Sequence, residues 1–327
     1  MIYNNCPLYS LESKKMLKYL LGITDNRLTK QNYIATLIEP YIDSTRKPRL
    51  IEPPKAELKS IQKRIKKLLA KIEVPANIFS GIKGRSYADN ALLHTGPHLR
   101  NLFKIDITAF FPSISRETVF QFFREDLCCS SDVSCILTDL TTIDLAKSKA
   151  SDIASIYNFL DNKGVICHNY LISGAPTSQI LSYLVNHKMF DEMQKLAYDN
   201  HMVMTVYVDD ITFSSKYKIS YSLKTKVINI IQKYNYQVSK KKVKTYTKLY
   251  PKLVTGVIIN SYGKPIVKNS IRNKIIIEHD YLRKHPDDKK RHQRLKGLLT
   301  AARQVDKHIF PTIYCYAFNN DKNKRTI

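Results

Sequence analysis

Two adjacent aspartates, Asp209 and Asp210, stand between two apolar runs, Met202-Val203-Met204-Thr205-Val206-Tyr207-Val208 before them and Ile211-Thr212-Phe213 after them. Neighbouring carboxylates repel, which costs energy unless a cation joins them. The flanks are short and rich in β-branched residues, so the pattern predicts strand, tight turn, strand over 202–214 with the acidic pair at the tip. Hard divalent cations take oxygen ligands of this kind. Asp is also a favoured turn residue in its own right, so the pair alone leaves both readings open.

A third carboxylate narrows the choice. Asn101-Leu102-Phe103-Lys104-Ile105-Asp106-Ile107 alternates as a strand entering a core and leads into Thr108-Ala109-Phe110-Phe111-Pro112. If this strand abuts the hairpin, Asp106 and Asp209 could hold two Mg²⁺ ions about 3.5–4 Å apart, with Asp210 beside them, the arrangement that serves in-line phosphoryl transfer. Charge points the same way. Lys and Arg number 53 against 28 Asp and Glu, a formal net charge of +25. Such an excess calls for a polyanionic partner, most often nucleic acid, although an anionic membrane surface would also attract it. The same excess argues against a small neutral substrate.

No apolar run approaches the roughly 18 residues that cross a bilayer. The opening Met1-Ile2-Tyr3-Asn4-Asn5-Cys6 lacks a basic-then-apolar leader. Cysteines 6, 128, 129, 135, 167 and 315 form no CxxC pair. The expectation is a cytoplasmic protein with reduced thiols, no membrane association and no zinc site. His94 and His98 form an HxxxH pair, but a zinc site needs further ligands. Trp is absent, so the 21 Tyr and 12 Phe are the available stacking platforms.

Along the chain, short helices are expected in 1–45, a basic amphipathic helix over about 55–72, mostly helix over 115–165, one long helix over 178–200, a helix over 221–235, a strand over 252–259 and basic helix from about 270. This order suits an α+β chain with a small antiparallel sheet. Thr45-Arg46-Lys47-Pro48-Arg49-Leu50-Ile51-Glu52-Pro53-Pro54 gathers three cations before a double proline.

Taken together, these residues resemble a family. Asp106 within Phe-x-Ile-Asp-x-x-x-Phe-Phe, Ser173-Gly174-Ala175-Pro176-Thr177-Ser178, and Tyr207-Val208-Asp209-Asp210 are similar, in that order, to reverse-transcriptase motifs A, B and C. Asn90-Ala91-Leu92-Leu93-His94 and Val254-Thr255-Gly256 resemble the NAxxH and VTG signatures of bacterial retron reverse transcriptases. The likeness runs from about residue 45 to 260. It implies a right-hand polymerase fold: N-terminal helices and fingers over 1–100, a palm over 101–260 with a helical fingers insertion at about 115–165, and a helical basic thumb over 261–327. It implies an enzyme that binds a structured noncoding RNA encoded nearby and primes from an RNA 2′-OH. Such an enzyme consumes dNTPs and makes a branched RNA–DNA hybrid (msDNA) in antiphage defence, with a separate effector protein. Other bacterial reverse transcriptases, group II intron-like or abortive-infection type, and a silent RNA-binding scaffold are the alternatives.

The resemblance also implies roles. Asp106, Asp209 and Asp210 are the catalytic metal ligands. Phe111 is the steric gate against a ribose 2′-OH, and Phe110 beside it a core residue. Gly174, Ala175 and Pro176 let backbone approach the incoming base pair. Ser173 departs from the Gln that relatives commonly carry there. Arg49 and Lys47, with Arg46, grip the triphosphate; Lys242, one of four clustered lysines, falls near the motif D lysine that protonates pyrophosphate. Gly84, Arg85 and Ser86 resemble the loop near the template. Asn90 and His94, at i and i+4, either hold RNA or form a buried polar pair. Val254, Thr255 and Gly256 either admit RNA backbone or bend a strand. Arg291 and Arg294, in the basic helix, are expected on RNA phosphates.

Overall fold

The computed structural model describes residues 2–45, 47–79, 81–96 and 98–319; Arg46 of the basic cluster lies outside them. Strands are β1 (Tyr41–Asp43), β2 (Arg49–Ile51), β3 (Asn101–Asp106), β4 (Thr142–Asp144), β5 (Asn169–Leu171), β6 (Val203–Tyr207), β7 (Asp210–Ser215), β8 (Lys244–Tyr246), β9 (Lys252–Val254), β10 (Val257–Ile259) and β11 (Pro265–Ile266). Helices are α1 (Lys14–Leu21), α2 (Gln31–Ala35), α3 (Ala56–Leu69), α4 (Tyr87–Leu92), α5 (Arg116–Gln121), α6 (Ser131–Asp139), α7 (Ile153–Asp161), α8 (Ser178–Leu184), α9 (His187–Asp199), α10 (Tyr221–Lys233), α11 (Asn269–Lys284), α12 (Lys289–Arg303) and α13 (Pro311–Asn319). The central sheet runs β6-β7-β3-β8. The mixed α and β content with small antiparallel sheets agrees with the fold class read from the sequence.

Two compact units interleave along the chain. The first draws on 1–85, 104–211 and 220–243, the second on 86–103, 212–219 and 244–327. In the first unit α1 begins at Ser13, whose hydroxyl accepts the Met16 N–H, and ends at Gly22 with φ +58°. Leu17 and Leu21 face the core with Leu58, Ile61, Ile65 and Leu69 of α3, all buried, while the lysines of α3 turn outward. Each such burial contributes roughly 1.5–3 kcal/mol.

The expected helix over 178–200 is broken at Asn186. Its amide donates to the Ser182 carbonyl at 3.0 Å, and its Oδ1 accepts the buried Tyr236 hydroxyl at 2.7 Å. A tertiary partner thus takes over the side chain and ends the helix. The expected single strand over 252–259 is a hairpin, β9 to β10, because Thr255 (φ +43°) and Gly256 (φ +94°) form a two-residue turn with both central residues left-handed. The 115–165 stretch carries one strand among its helices: β4 pairs antiparallel with β5.

In the second unit, Val254, Val257 and Ile259 pack with Ala88 and Ala91 of α4 and with Leu102. A separate core joins α11, α12 and α13 through Ile275, Leu282, Leu295, Leu299, Ala302 and Ala317. All six cysteines are free thiols. Among the described residues no helix is long and apolar enough to cross a membrane.

Candidate active site

Backbone bonds set the end of β3, with Asp106, beside the Asp209–Asp210 tip. The Ile107 N–H, one residue past Asp106, donates to the Asp209 carbonyl at 3.1 Å. On its other side the Asp106 carbonyl accepts the Ser239 N–H at 2.9 Å. Val208, at the tip between β6 and β7, has φ +60°. A β-branched residue in that region is strained by about 1–3 kcal/mol, and the paired strands on either side hold it there. The turn therefore fixes where both carboxylates start.

Each neighbouring carboxylate has a distinct environment. Lys242 donates to both Asp106 oxygens at 2.6 Å. Its aim is set by a single turn in which the Lys242 N–H bonds the Ser239 carbonyl. This selects Lys242 from the lysine cluster. Lys104 pairs with Asp210 at 2.5 Å, both side chains less than one fifth exposed. Among the described residues no lysine is ion-paired with Asp209; Lys242 acts on it only at a distance. Burial, then the Asp106 charge, push its carboxyl well above the usual carboxylate range. Asp210 is also raised by burial, against the pull of Lys104, and its Oδ1 is buried without a hydrogen-bond partner.

Among the described residues no group of three His, Cys, Asp or Glu side chains is gathered as a ready-made metal cage. The donor set nonetheless fits a hard divalent cation. It is all oxygen, two carboxylates already act on each other, and one buried oxygen lacks a partner. Reverse transcriptases as a family use divalent metal ions.

The flanking pieces sit as follows. Phe110 is buried against Phe190 and Tyr236, whereas Phe111 is half-buried. Gly174 has φ +96°, and a Cβ there would lie no closer than 4.0 Å to the Glu52 carbonyl. The conformation, more than the space, calls for glycine. Ala175 is buried and Pro176 half-buried. Arg49 and Lys47 lie exposed on the β1–β2 hairpin, where Asp43 is opposite Arg49. No hydrogen bond or ion pair joins them to the three aspartates among the described residues. Arg85 is used inside the fold: its guanidinium donates to the carbonyls of Pro75 at 2.6 Å and Ile78 at 2.7 Å.

The family described as "Reverse transcriptase (RNA-dependent DNA polymerase)" matches residues 30–284 of the 327. The chain belongs to the reverse transcriptase family. Retron Se72 reverse transcriptase of Salmonella heidelberg is 30% identical over 70% of this chain and 54% of its own length. Retron Mx162 reverse transcriptase of Myxococcus xanthus is 26% identical over 79% and 55%. Retron Mx65 reverse transcriptase of the same organism is 24% identical over 65% and 48%. The similarity to bacterial retron reverse transcriptases read from the motifs is thus upheld, and the family match extends beyond residues 45–260. The chain spans about half the length of these curated relatives.

Two retron-like motifs meet within the second unit. The Thr255 hydroxyl donates to the Tyr87 carbonyl at 2.7 Å, and Ala91 packs with Val254. Asn90 and His94 are 0% and 2% exposed, and His94 Nδ1 lies 2.7 Å from the buried Ser214 hydroxyl. Burial, with the Arg100 charge, pushes the His94 pKa down to about 3, so the ring is neutral. Direct RNA contact by these two side chains is not what the structure presents; the packing matches the buried-pair alternative. Val254 is equally buried, so the VTG triplet acts here as a hairpin turn. Arg291 and Arg294, expected on RNA phosphates, have partners inside the fold. Both reach the buried Glu278, at 3.4 and 3.2 Å, and Arg291 lies 3.8 Å over the Tyr281 ring. A buried carboxylate unpaired would be costly, so these arginines hold α12 to α11.

Two functional neighbours escaped the sequence reading. Lys104 could have been found: it lies two residues before Asp106 on a strand, hence on the same face. Glu52 could not. It is fully buried, accepting the Tyr170 hydroxyl at 2.8 Å and the Ser173 N–H at 2.6 Å, partners 118 and 121 residues away. It joins the end of β2, which carries Arg49, to the turn at Gly174.

Burial pushes the Glu52 carboxyl up to about 7. Its folded value exceeds the unfolded one, so the native state binds more protons between them and stability falls as pH rises through that interval. Glu52→Gln removes the charge while its Oε1 can still accept the Ser173 N–H and its Nε2 can donate to the Tyr170 hydroxyl oxygen in place of the bond it loses. Melting measurements should show wild type losing, relative to Glu52→Gln, on the order of 3 kcal/mol from pH 5 to 8. Parallel pH profiles for the two proteins would contradict this.

Proposed function

We propose that this chain is the RNA-directed DNA polymerase of a retron. It binds a structured noncoding RNA, primes from an RNA 2′-OH and builds a branched RNA–DNA hybrid from dNTPs. The observation that carries the reading is the carboxylate site: Asp106 and the Asp209–Asp210 tip, zipped together by backbone bonds, in a chain of reverse-transcriptase family. The fingers would draw on 1–100 and the 115–165 insertion, the palm on 101–260, the thumb on 261–327.

Asp106 and Asp209, with Asp210, would hold two Mg²⁺ ions. When bound, these would lower the pKa of the attacking hydroxyl and neutralise charge on the triphosphate and leaving pyrophosphate. Lys242 and Lys104 meanwhile neutralise the carboxylates in the resting protein. Lys242, nearly half exposed, is free to swing from Asp106 toward a leaving pyrophosphate and give it a proton. Arg49 and Lys47 would clamp the triphosphate. The Gly174–Ala175–Pro176 turn leaves backbone against the nascent base pair. The short Ser173 side chain cannot reach the nucleotide as Gln would; its N–H is instead committed to Glu52.

Phe111, half-buried where Phe110 is fully buried, would sit beneath the sugar and exclude a 2′-OH. Phe111→Ala should raise incorporation of rNTP relative to dNTP by about tenfold or more, measured by competitive single-nucleotide extension. An unchanged ratio would remove Phe111 from this role.

The direct test is DNA from cells expressing the chain with its flanking RNA locus. A short DNA that shifts after RNase or debranching treatment, and that vanishes with Asp209→Asn/Asp210→Asn, is expected. Its absence, with primer extension retained, would move the chain to another type of bacterial reverse transcriptase. Silence in both would leave an RNA-binding scaffold. Cytoplasmic action and a separate effector protein in antiphage defence belong to the same proposal.

A further inference from the structure

The second unit carries a basic, aromatic surface that the polymerase chemistry does not use. Asn101, the first residue of β3, bridges two loops. Its amide nitrogen donates to the Tyr217 carbonyl at 2.9 Å, and its amide oxygen accepts the Lys248 N–H at 3.2 Å. One side chain thus holds the turn after β7 beside the loop after β8. The second loop is fixed from beneath. Lys252 is 2% exposed, and its ammonium donates to the carbonyls of Lys248 at 3.0 Å and Tyr250 at 2.8 Å.

What these two loops present is unusual for a solvated surface. Tyr217, Leu249 and Tyr250 are 69%, 64% and 66% exposed. Lys216, Lys218 and Lys248 adjoin them along the two loops and Lys244 opens β8 just before the second, all four exposed. No carboxylate occurs in 212–219 or 244–252, and none of the four lysines is ion-paired among the described residues. The Asn101 bridge, the buried Lys252 beneath and uncompensated charge beside exposed rings make a preformed platform.

We infer that this platform binds an unpaired stretch of RNA, its bases stacking on Tyr217 and Tyr250 and its phosphates meeting the four lysines. The inference deepens the RNA-binding reading above and rests on it. Duplex phosphates would need only the lysines; aromatic rings and Leu249 gain contact area when bases are splayed out. A second copy of the chain would set lysine against lysine, which like charge opposes.

The test uses the full chain and two labelled probes, a single-stranded RNA of about 12 nucleotides and a blunt RNA duplex of equal length, titrated by anisotropy at several salt concentrations. Tyr217→Ala/Tyr250→Ala should weaken single-strand binding by about tenfold or more, leave duplex binding little changed and keep the salt slope. Lys216→Gln/Lys218→Gln/Lys248→Gln should flatten the slope. Tyr198→Ala, an exposed tyrosine of the first unit, should change nothing. Because every altered side chain is exposed, melting temperatures should hold.

Unchanged single-strand binding, or equal losses for both probes, would overturn the inference. So would a dimer in sedimentation that the tyrosine changes abolish. Primer extension run alongside separates the failures. Without extension by wild type the polymerase reading falls while the binding result still stands. With extension intact and binding insensitive, the platform alone falls.

Discussion

Asp209→Asn should abolish nucleotide transfer, by at least about a thousandfold, and yet raise the melting temperature of the metal-free chain at pH 7–8. The two effects share a cause. Burial of Asp209 and the charge of Asp106 outweigh the pull of Lys242, so its carboxyl is raised above the usual range. A group whose folded pKa is raised contributes stability that is full below the unfolded value and lost as pH rises through the folded one. At neutral pH the ionised Asp209 is therefore a net cost. Asparagine removes the charge and relieves the repulsion. Each kcal/mol recovered is worth about 2–4 °C for a chain of this order of size, and the gain should shrink as pH falls toward about 4. Asp106→Asn provides the contrast: it strips Lys242 of its partner, so it should be inactive without the gain. A lower melting temperature for Asp209→Asn at pH 7.5, or retained activity, would contradict this account.

Lys242→Met should lower kcat by about a hundredfold, the order expected for loss of a general acid. A second readout separates this from mere structural damage. In wild type the ammonium occupies both Asp106 oxygens, in competition with any cation. Its removal should let Mg²⁺ raise the melting temperature at lower concentration than in wild type. The metal-free variant should be less stable by only about 1 kcal/mol, since Lys242 is nearly half exposed and solvent screens the pair. A weakened Mg²⁺ response together with full activity would remove Lys242 from the chemistry.

The acidic hairpin was legible because strands and turns leave local marks: alternation on either side and two aspartates where the chain must reverse. Phe110 is buried and Phe111 half-buried, a difference that local pattern alone does not mark; only the motif resemblance separated the two. What the sequence hid was decided by partners far along the chain. Glu52 reads as one more charge before two prolines, and only Tyr170 and Ser173 show it to be buried. Asn186 looked like an ordinary position in an amphipathic helix until Tyr236 claimed its side chain. Asn90 lies in α4 and His94 in the turn that follows it, both buried, and periodicity cannot say whether such polar side chains meet RNA or a buried serine. That Arg291 and Arg294 also reach Glu278 could not be read either, because Glu278, on the preceding helix, gives no sign in the sequence that it is enclosed.

The most direct measurement is extension of a labelled primer annealed to an RNA template by the purified chain, with dNTPs and Mg²⁺, beside Asp106→Asn and a chelator control. The account predicts a template-dependent DNA ladder in wild type that the chelator and the substitution each remove. A ladder that survives Asp106→Asn, or none from a folded wild-type chain with Mg²⁺ present, would contradict the claim that these carboxylates perform RNA-directed DNA synthesis.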